Sequence, residues 1–288
     1  MRLGGGRESG NIEDRRGGGV PIGVAGGGIG TIVLVVLALL FGVDPRVVLQ
    51  GGDETGQVQS PTARYDAPPP AGQQDEMRRF VAQVLATTED AWGAVFQANG
   101  RRYQPPYLVL FSGAVQSACG TASTAVGPFY CPGDQKVYLD LGFFRDMERK
   151  LGAPGDFAQA YVIAHEVGHH VQTQLGITQR VEALRARAAS PTEGAALSVR
   201  VELQADCFAG VWANHAEQAR NILERGDIEE GMNAAAAVGD DRLQRRAQGY
   251  VVPESFTHGS SAQRVRWFRR GLETGEIRQC DTFGTDRL

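Results

Sequence analysis

The stretch from Tyr161 to Gln174, YVIAHEVGHHVQTQ, constrains this 288-residue chain more than any other part of its sequence. His165, Glu166 and His169 within it spell H-E-x-x-H. The stretch contains recurring valines and no proline, which favours a helix. Residues i and i+4 of a helix lie on one face, so the two imidazoles can bind one metal ion. Three of the chain's five histidines fall here, which argues against a chance match.

A catalytic zinc ion usually has three protein ligands, so the two histidines leave one ligand to find. The segment Val201–Gly210, VELQADCFAG, offers Glu202, which follows His169 by 33 residues (202 − 169). That separation leaves room for a loop and a returning helix. Asp206 lies one helical turn after Glu202, where it is predicted to accept the outer N–H of a zinc-bound imidazole. Small Ala205 between them would allow close packing of the two helices.

The predicted cofactor is one catalytic Zn²⁺ ion with three protein ligands, namely His165, His169 and Glu202. Glu166 is placed to act as the general base on the attacking water in peptide hydrolysis. A group that stabilises the oxyanion is also needed. His258, in a Thr-His-Gly turn, is the candidate, and Tyr250 is a weaker alternative. His170 points away from the metal face and is expected to be structural or to support a ligand.

An uncharged, apolar run of 24 residues at positions 20–43 is long enough to cross a bilayer. A signal peptide is the competing interpretation, but no clean small-residue cleavage site follows the run. Four arginines precede the run and only Arg46 follows it closely. The positive-inside bias therefore predicts a cytoplasmic N-terminus and an exported remainder. Residues 1–19, which are polar and rich in glycine, are expected to be disordered.

The chain divides into four predicted regions. Residues 1–19 form a cytoplasmic disordered tail, 20–43 a transmembrane helix, and 44–74 a linker rich in proline and glycine. Residues 75–288 form one folded domain. The net charge is −4, and no basic stripe is interleaved with aromatic residues, so no nucleic-acid partner is expected.

Four cysteines fit an exported domain, and three pairings of them are possible. Cys119 and Cys131 bracket a short segment that contains glycine and proline, which favours a local bridge. Cys207 and Cys280 would then join the helix of the third ligand to the end of the chain. Free buried thiols are the alternative. A cysteine zinc site is disfavoured because no C-x-x-C is present, and an oxidising compartment favours two disulfides.

The folded domain is predicted to be α+β and mostly helical, with one small sheet. The predicted helices span residues 77–96, 143–151, 178–189, 195–215, 228–248 and 261–273, in addition to the HExxH helix. Asp227 is the predicted N-cap of the helix over 228–248. Strands are predicted over 107–111 and 136–141. The strand over 136–141 is expected to form an edge above the HExxH helix, where an extended peptide could add as another strand.

Several separated blocks of this sequence resemble the neutral zinc metallopeptidases of bacteria. The blocks are residues 117–144, the HExxH helix, the ELQADCFAG segment, GDDRLQ at 239–244 and the stretch 252–270. The resemblance covers residues 75–280. It implies a zincin-like metalloprotease fold of the gluzincin type and a single span in the bacterial cell membrane, with the catalytic domain periplasmic or extracellular. The resemblance supplies no substrate, and the expected peptide or protein substrate follows from the mechanism assigned to the site residues.

Two other functions are compatible with the same residues. One is a membrane-tethered binding or chaperone-like protein whose zinc only stabilises the fold. Glu166 argues against that function, because a structural zinc site does not need this carboxylate. The other is a zinc amidase that acts on the cell wall, since the same site can hydrolyse other amides.

Overall fold

The computed structural model describes residues 1–17 and 71–288. Within these ranges the chain forms eight α-helices and six β-strands. The helices are α1 (Ala71–Ala98), α2 (Gly142–Leu151), α3 (Asp156–Gln174), α4 (Ile177–Arg185), α5 (Pro191–Arg220), α6 (Asp227–Ala237), α7 (Asp240–Gln248) and α8 (Ser261–Thr274). The strands are β1 (Ile12–Asp14), β2 (Tyr107–Phe111), β3 (Ala114–Ser117), β4 (Gly120–Ser123), β5 (Phe129–Cys131) and β6 (Lys136–Asp140). The prediction of a mostly helical α+β fold with a small sheet is confirmed.

Four strands form one mixed sheet in the order β1-β2-β6-β5, and β3 and β4 pair separately as an antiparallel hairpin. Both β1 and β6 run parallel to β2, whereas β5 is antiparallel to β6. The predicted strand over 136–141 exists as β6, but its predicted position at the sheet edge is wrong. Val137 pairs with Leu108 on one side and with Tyr130 on the other, so β6 is an interior strand. The edge next to α3 is β5.

Residues 1–17 pack against the folded domain. Ile12 pairs with Leu108 and Asp14 pairs with Leu110, so β1 extends the sheet beyond β2. Ser9 is buried, with 6% of its surface exposed. The prediction of a disordered tail over residues 1–19 is therefore wrong for the described residues 1–17. Composition was misleading because this segment is ordered by backbone hydrogen bonds to a distant strand rather than by its own propensity.

Helix α3 lies in the centre of the domain and packs against α5. Phe157 near the start of α3 stacks on Trp212 of α5, with ring centroids 5.9 Å apart. Further along, a Cβ on Gly168 would lie 3.0 Å from the carbonyl oxygen of Ala205. The expected close packing at Ala205 is therefore present, and it is possible because residue 168 is a glycine and has no side chain.

Helix α8 packs closely along α5. A Cβ on Gly271 would overlap the carbonyl oxygen of Cys207, and a Cβ on Gly210 would overlap that of Phe268. Two glycines thus let the helix backbones touch. The start of α8 is fixed by a capping box between Ser260 and Gln263. This packing aims the first turn of α8 at the interior of the domain.

Both predicted disulfides are present. The bridge between Cys119 and Cys131 ties the turn of the β3–β4 hairpin to the end of β5. The bridge between Cys207 and Cys280 ties α5 to a short 3-10 turn after α8. The predicted pairing is confirmed.

Several helix boundaries differ from prediction. The helix predicted over 178–189 ends at Arg185, and the helix predicted over 195–215 is longer and spans Pro191–Arg220. Helix α1 begins at Ala71, inside the predicted linker over 44–74. The helix predicted over 228–248 is divided into α6 and α7, with Val238 and Gly239 between them. A Cβ on Gly239 would clash with the backbone of Ser261, so this turn is shaped by a tertiary contact that helical periodicity does not report.

Asp227 is not the N-cap of α6. Gly226 precedes the helix and makes no side-chain cap. The Asp227 carboxylate instead accepts a hydrogen bond from the backbone N–H of Glu224, at 2.8 Å. The prediction of an Asp227 cap is therefore wrong by one position along the chain.

The predicted membrane span over residues 20–43 lies outside the described residues. Among the described residues, no helix is long and apolar enough to cross a bilayer.

Candidate metal centre

Helices α3 and α5 bring together the three residues predicted to bind zinc. His165 and His169 lie one turn apart on α3, and α5 presents Glu202 to both of them. The short distance between Gly168 and Ala205 holds the helices close enough for this contact. Nitrogen and oxygen atoms of the three side chains all lie within 4.8 Å of one another.

The geometry of these donors fits a zinc ion. Nε2 of His165 lies 3.1 Å from Oε2 of Glu202, and Nε2 of His169 lies 3.6 Å from Oε1. Ligand atoms bound tetrahedrally at zinc distances would be about 3.3 Å apart. Two imidazoles and one carboxylate are also a ligand set of catalytic zinc, with a fourth position left for water or substrate. These three residues can therefore hold one Zn²⁺ ion.

Behind His165 lies a buried polar cluster built on Asp206. Nδ1 of His165 is 2.9 Å from Oδ1 of Asp206, which places Asp206 where the sequence predicted. The guanidinium of Arg264 binds both carboxylate oxygens of Asp206 at 2.8 Å. The Tyr161 hydroxyl also donates to Asp206. Asp206 is fully buried and Arg264 is 3% exposed, so the ion pair is out of water.

These contacts set the protonation of the site. Burial would lower the pKa of His165, but hydrogen bonds to Asp206 and Glu202 outweigh it and raise the pKa to about 9. Burial would raise the pKa of Asp206, but Arg264 and His165 lower it. The metal-free His165 therefore carries a proton near neutral pH, and a metal ion must displace that proton to bind.

Behind His169 lies a chain of amide side chains. Nδ1 of His169 is 2.9 Å from Oε1 of Gln172. Nε2 of Gln172 donates to Oε1 of Gln204 at 3.1 Å, and Nε2 of Gln204 donates to the carbonyl oxygen of Cys280 at 2.9 Å. Because Oε1 of Gln172 is an acceptor, the proton of His169 lies on Nδ1 and Nε2 is free to bind metal. The Cys207–Cys280 disulfide is thus connected to His169 through two glutamines.

Glu166 lies next to the donor atoms and is 8% exposed. Within the described chain its carboxylate makes no hydrogen bond or ion pair. Burial raises the pKa of Glu166, against the opposing charges of His169 and His165. A carboxylate that has a raised pKa and no protein partner beside a set of metal donors often has a chemical role.

His258 is held beside the site by Asp240. One carboxylate oxygen of Asp240 accepts the backbone N–H groups of residues 257, 258 and 259 at 2.7–3.0 Å. The other oxygen lies 3.2 Å from Nδ1 of His258. Burial would lower the pKa of His258, but Asp240 and the charge of Glu202 raise it overall. Tyr250, the weaker alternative, is 63% exposed.

His170 has a structural role, as its position one residue past a ligand predicted. Its Nδ1 lies 3.1 Å from the Tyr130 hydroxyl of β5, and its Nε2 lies 2.7 Å from the carbonyl oxygen of Gln104. Burial lowers the pKa of His170. The neutral imidazole therefore joins α3 to the edge strand of the sheet.

Sequence reasoning missed four residues that support the site: Tyr161, Gln172, Asp240 and Arg264. Tyr161 could have been predicted from helical periodicity, because it precedes His165 by one helical turn. Asp240 lies in the GDDRLQ block, but nothing local indicates that it faces residues 257–259. Arg264 lies 58 residues after Asp206, and no local pattern connects the two.

Comparisons with known proteins identify the family. The family model described as "Putative neutral zinc metallopeptidase" matches residues 1–283. Escherichia coli K12 has a relative named "Uncharacterized protein YpfJ" that is 50% identical over 293 residues, covering 99% of both chains. A relative named only as an uncharacterized protein of Mycobacterium bovis is 42% identical over 268 residues, covering 87% of this chain and 86% of its own. An uncharacterized protein of Mycobacterium tuberculosis H37Rv has the same identity and coverage. No solved structure is significantly similar.

The family match includes every residue of the candidate metal centre, from Tyr161 to Arg264. It also includes residues 1–17, which the structure packs against the domain. Both the overall sequence match and the convergence of two histidines and a glutamate point to the same class of protein. The chain belongs to the family of putative neutral zinc metallopeptidases.

Proposed function

We propose that this protein is a zinc-dependent peptidase that hydrolyses peptide bonds of protein or peptide substrates. The observation that carries the proposal is the pairing of a zinc-binding donor set with the buried, unpartnered carboxylate of Glu166. His165, His169 and Glu202 are the proposed ligands. When bound, the zinc ion supplies Lewis acidity toward a water molecule and toward the carbonyl of the bond that is cut.

Glu166 is the proposed general base and then general acid. It removes a proton from the attacking water and delivers that proton to the departing amine. Its burial suits this role, because a carboxylate withdrawn from water has a raised pKa and binds the transferred proton more readily. The carboxylate does not need to break an internal hydrogen bond before it acts.

His258 is the proposed donor to the oxyanion. Asp240 accepts from its Nδ1, and in the described chain its Nε2 has no hydrogen-bond partner. The raised pKa of His258 favours the imidazolium, which can donate from Nε2 to a developing negative charge. Asp240 also fixes the backbone of the turn that carries His258, so the donor is held in place before substrate binds.

The edge strand β5 is the proposed docking site for an extended substrate. The edge strands of the described sheet are β1 and β5, and β5 is the edge strand beside α3. The contact between Tyr130 and His170 fixes this edge next to the HExxH helix. A peptide added to β5 would hydrogen-bond through its backbone, which favours extended chains over folded ones.

Two alternatives remain compatible with the same ligands. A zinc-stabilised binding or chaperone-like protein would need the three ligands but not Glu166. A zinc amidase of the cell wall would need all four residues, since only the substrate differs. The unpartnered burial of Glu166 favours an enzyme over the binding protein. The open strand edge favours a peptide over a glycan-linked amide.

A matched pair of variants tests the proposal. Glu166→Gln keeps the shape of the side chain and spares the ligands, and Glu229→Gln changes an exposed glutamate on α6. Purified proteins are incubated with a mixture of denatured proteins, and new termini are identified by mass spectrometry. We expect cleavage by the parent and by Glu229→Gln, and a loss of at least ~10² in rate for Glu166→Gln with zinc content unchanged.

The same comparison in cells separates the alternatives. Exported protein fragments and cell-wall fragments are both measured in cells that carry either the parent or Glu166→Gln. A difference confined to cell-wall fragments would favour the amidase. Full zinc content together with identical fragments in both strains would favour the binding protein and reject hydrolysis.

A further inference from the structure

The N-terminal segment, residues 1–17, is bound along the domain by backbone hydrogen bonds at several points. The N–H of Arg2 donates to the carbonyl oxygen of Ile222 at 2.7 Å, and the N–H of Ser9 donates to that of Ala82 at 2.9 Å. The N–H of Leu108 donates to the carbonyl oxygen of Asn11 at 2.8 Å, where β1 begins. These contacts connect the segment to α1, to the loop after α5 and to β2.

Charged side chains follow the same path. Arg7 pairs with Glu89 and Asp90 on α1, each at 2.8 Å. The carboxylate of Glu89 also accepts from Asn11 Nδ2 at 2.8 Å. At the sheet, Glu13 pairs with Lys136 of β6. The charges of the segment are therefore complementary to those of the surface beneath it, and its backbone hydrogen-bonds to that of β2.

We infer that residues 1–17 are part of the folded domain, docked on it within one chain, and lie on the same side of any membrane as residues 71–288. Strand pairing requires backbone groups about 3 Å apart, whereas the hydrocarbon core of a bilayer is about 30 Å thick. Glu13 cannot pair with Lys136 across that distance. One molecule therefore cannot have both the β1–β2 pairing and the predicted topology, in which the N-terminus is cytoplasmic and the domain is exported.

The disulfides indicate which side this is. Two bridges in the domain favour an oxidising compartment. A segment docked on that domain shares its compartment, so residues 1–17 are exported with it. This inference does not rest on the proposed hydrolysis, since it would hold equally for a binding protein.

The position of the segment also affects the sheet. Without β1, the backbone of β2 would present unpaired N–H and C=O groups to solvent, as exposed edges do. Docking of residues 12–14 covers this edge with a three-residue strand, so the described sheet ends at β1 on one side and at β5, beside the HExxH helix, on the other. Displacement of the segment would replace the short β1 edge with the exposed five-residue edge of β2.

Cysteine labelling of the full chain in intact cells tests the sidedness. Glu8→Cys and Glu148→Cys place single new thiols at exposed positions on the segment and on α2. A membrane-impermeant maleimide is applied before and after permeabilisation of the inner membrane. We expect both positions to react to the same extent in each condition. Labelling of one before permeabilisation and of the other only afterwards would overturn the inference.

An engineered disulfide tests docking within one chain. Glu13 lies opposite Val109 in the β1–β2 register. Adjacent strands are about 4.8 Å apart, within the Cα separation that a disulfide accepts. We expect Glu13→Cys with Val109→Cys to cross-link within the monomer, and Glu8→Cys with Val109→Cys, which are not opposite, to remain uncross-linked.

The native bridges provide the folding control. Mass spectrometry should find Cys207 joined to Cys280 in the same samples, which shows that the variant has folded. A dimer linked through residues 13 and 109 would overturn docking within one chain. Free thiols at both positions in folded protein would overturn docking altogether.

Discussion

Arg264 and Asp206 form a buried, bidentate ion pair directly behind His165. Both groups are removed from water, so each depends on the other for compensation of its charge. The pair orients the Asp206 carboxylate so that one oxygen reaches Nδ1 of His165. Arg264 thus acts on the metal centre through two other residues, from a helix that carries no proposed ligand.

Removing the Asp206 carboxylate, which links Arg264 to His165, should weaken zinc binding. We expect Asp206→Asn to lower zinc affinity by roughly 10–100-fold, because the amide accepts less strongly from His165. Arg264→Gln should lower the free energy of unfolding by about 3–5 kcal/mol, since it leaves Asp206 buried without its counter-charge. Arg269→Gln, on the exposed side of α8, is the control. Chelator competition measures the zinc affinity, and thermal unfolding measures the stability. Unchanged zinc affinity in Asp206→Asn would show that Asp206 does not support zinc binding through His165.

Glu202 should be more important for zinc than Asp206. Glu202→Gln removes a charged ligand, so the loss of affinity should exceed the roughly 10–100-fold expected for an outer-shell residue. Glu229→Gln is again the exposed control. Metal analysis after dialysis measures the content of each protein. Full zinc content in Glu202→Gln would remove this residue from the proposed ligand set and leave the metal with two protein ligands.

Much of the metal centre could be predicted from the sequence because its main elements are periodic and local. His165 and His169 are spaced by one helical turn, and Glu202 and Asp206 repeat that spacing on a second helix. Each helix therefore displays its functional residues on one face wherever the chain places it. The packing of the two helices was also indicated by small Ala205, although the more restrictive contact is at Gly168.

The parts that could not be predicted are contacts between distant segments. Arg264 reaches Asp206 only because Gly210 and Gly271 let α5 and α8 touch. Asp240 reaches the turn of His258 only because the chain breaks at Gly239. In the same way, residues 1–17 look disordered by composition, yet the edge of β2 provides the partner that orders them.

His258 should affect catalysis without affecting zinc content. We expect His258→Gln to lower kcat by roughly 10²–10³, as the loss of an oxyanion donor does. His215→Gln is the control, because Nε2 of His215 binds the carbonyl oxygen of Gly275. An equal loss of activity in both variants would indicate a structural effect.

The pH dependence of activity tests the proposed role of His258 as the oxyanion donor. The pKa of His258 is raised, so its imidazolium persists to higher pH than that of an ordinary histidine. Activity that needs the donor should fall as pH rises through that pKa. Asp240→Asn should move this alkaline limb to lower pH, and His258→Gln should lack it. An alkaline limb that is identical in the parent, Asp240→Asn and His258→Gln would assign it to another group.

The Cys207–Cys280 disulfide should support the metal centre as well as the fold. It closes a loop of 73 residues, which corresponds to roughly 4 kcal/mol in the loop-entropy description. Cys280 also accepts from Gln204, which binds Gln172, which in turn orients His169. We expect Cys207→Ala with Cys280→Ala to lower both the free energy of unfolding and the zinc affinity.

The other disulfide provides the matched control. Cys119→Ala with Cys131→Ala opens a loop of 12 residues and should cost about 3 kcal/mol of stability. The described residues show no hydrogen bond from that bridge to Gln172 or Gln204, which orient the His169 imidazole, so zinc affinity should be preserved. Both double variants are compared by chelator competition at a temperature where each is folded. Equal zinc affinities would show that the Cys207–Cys280 bridge stabilises the chain without acting through Gln204 and Gln172.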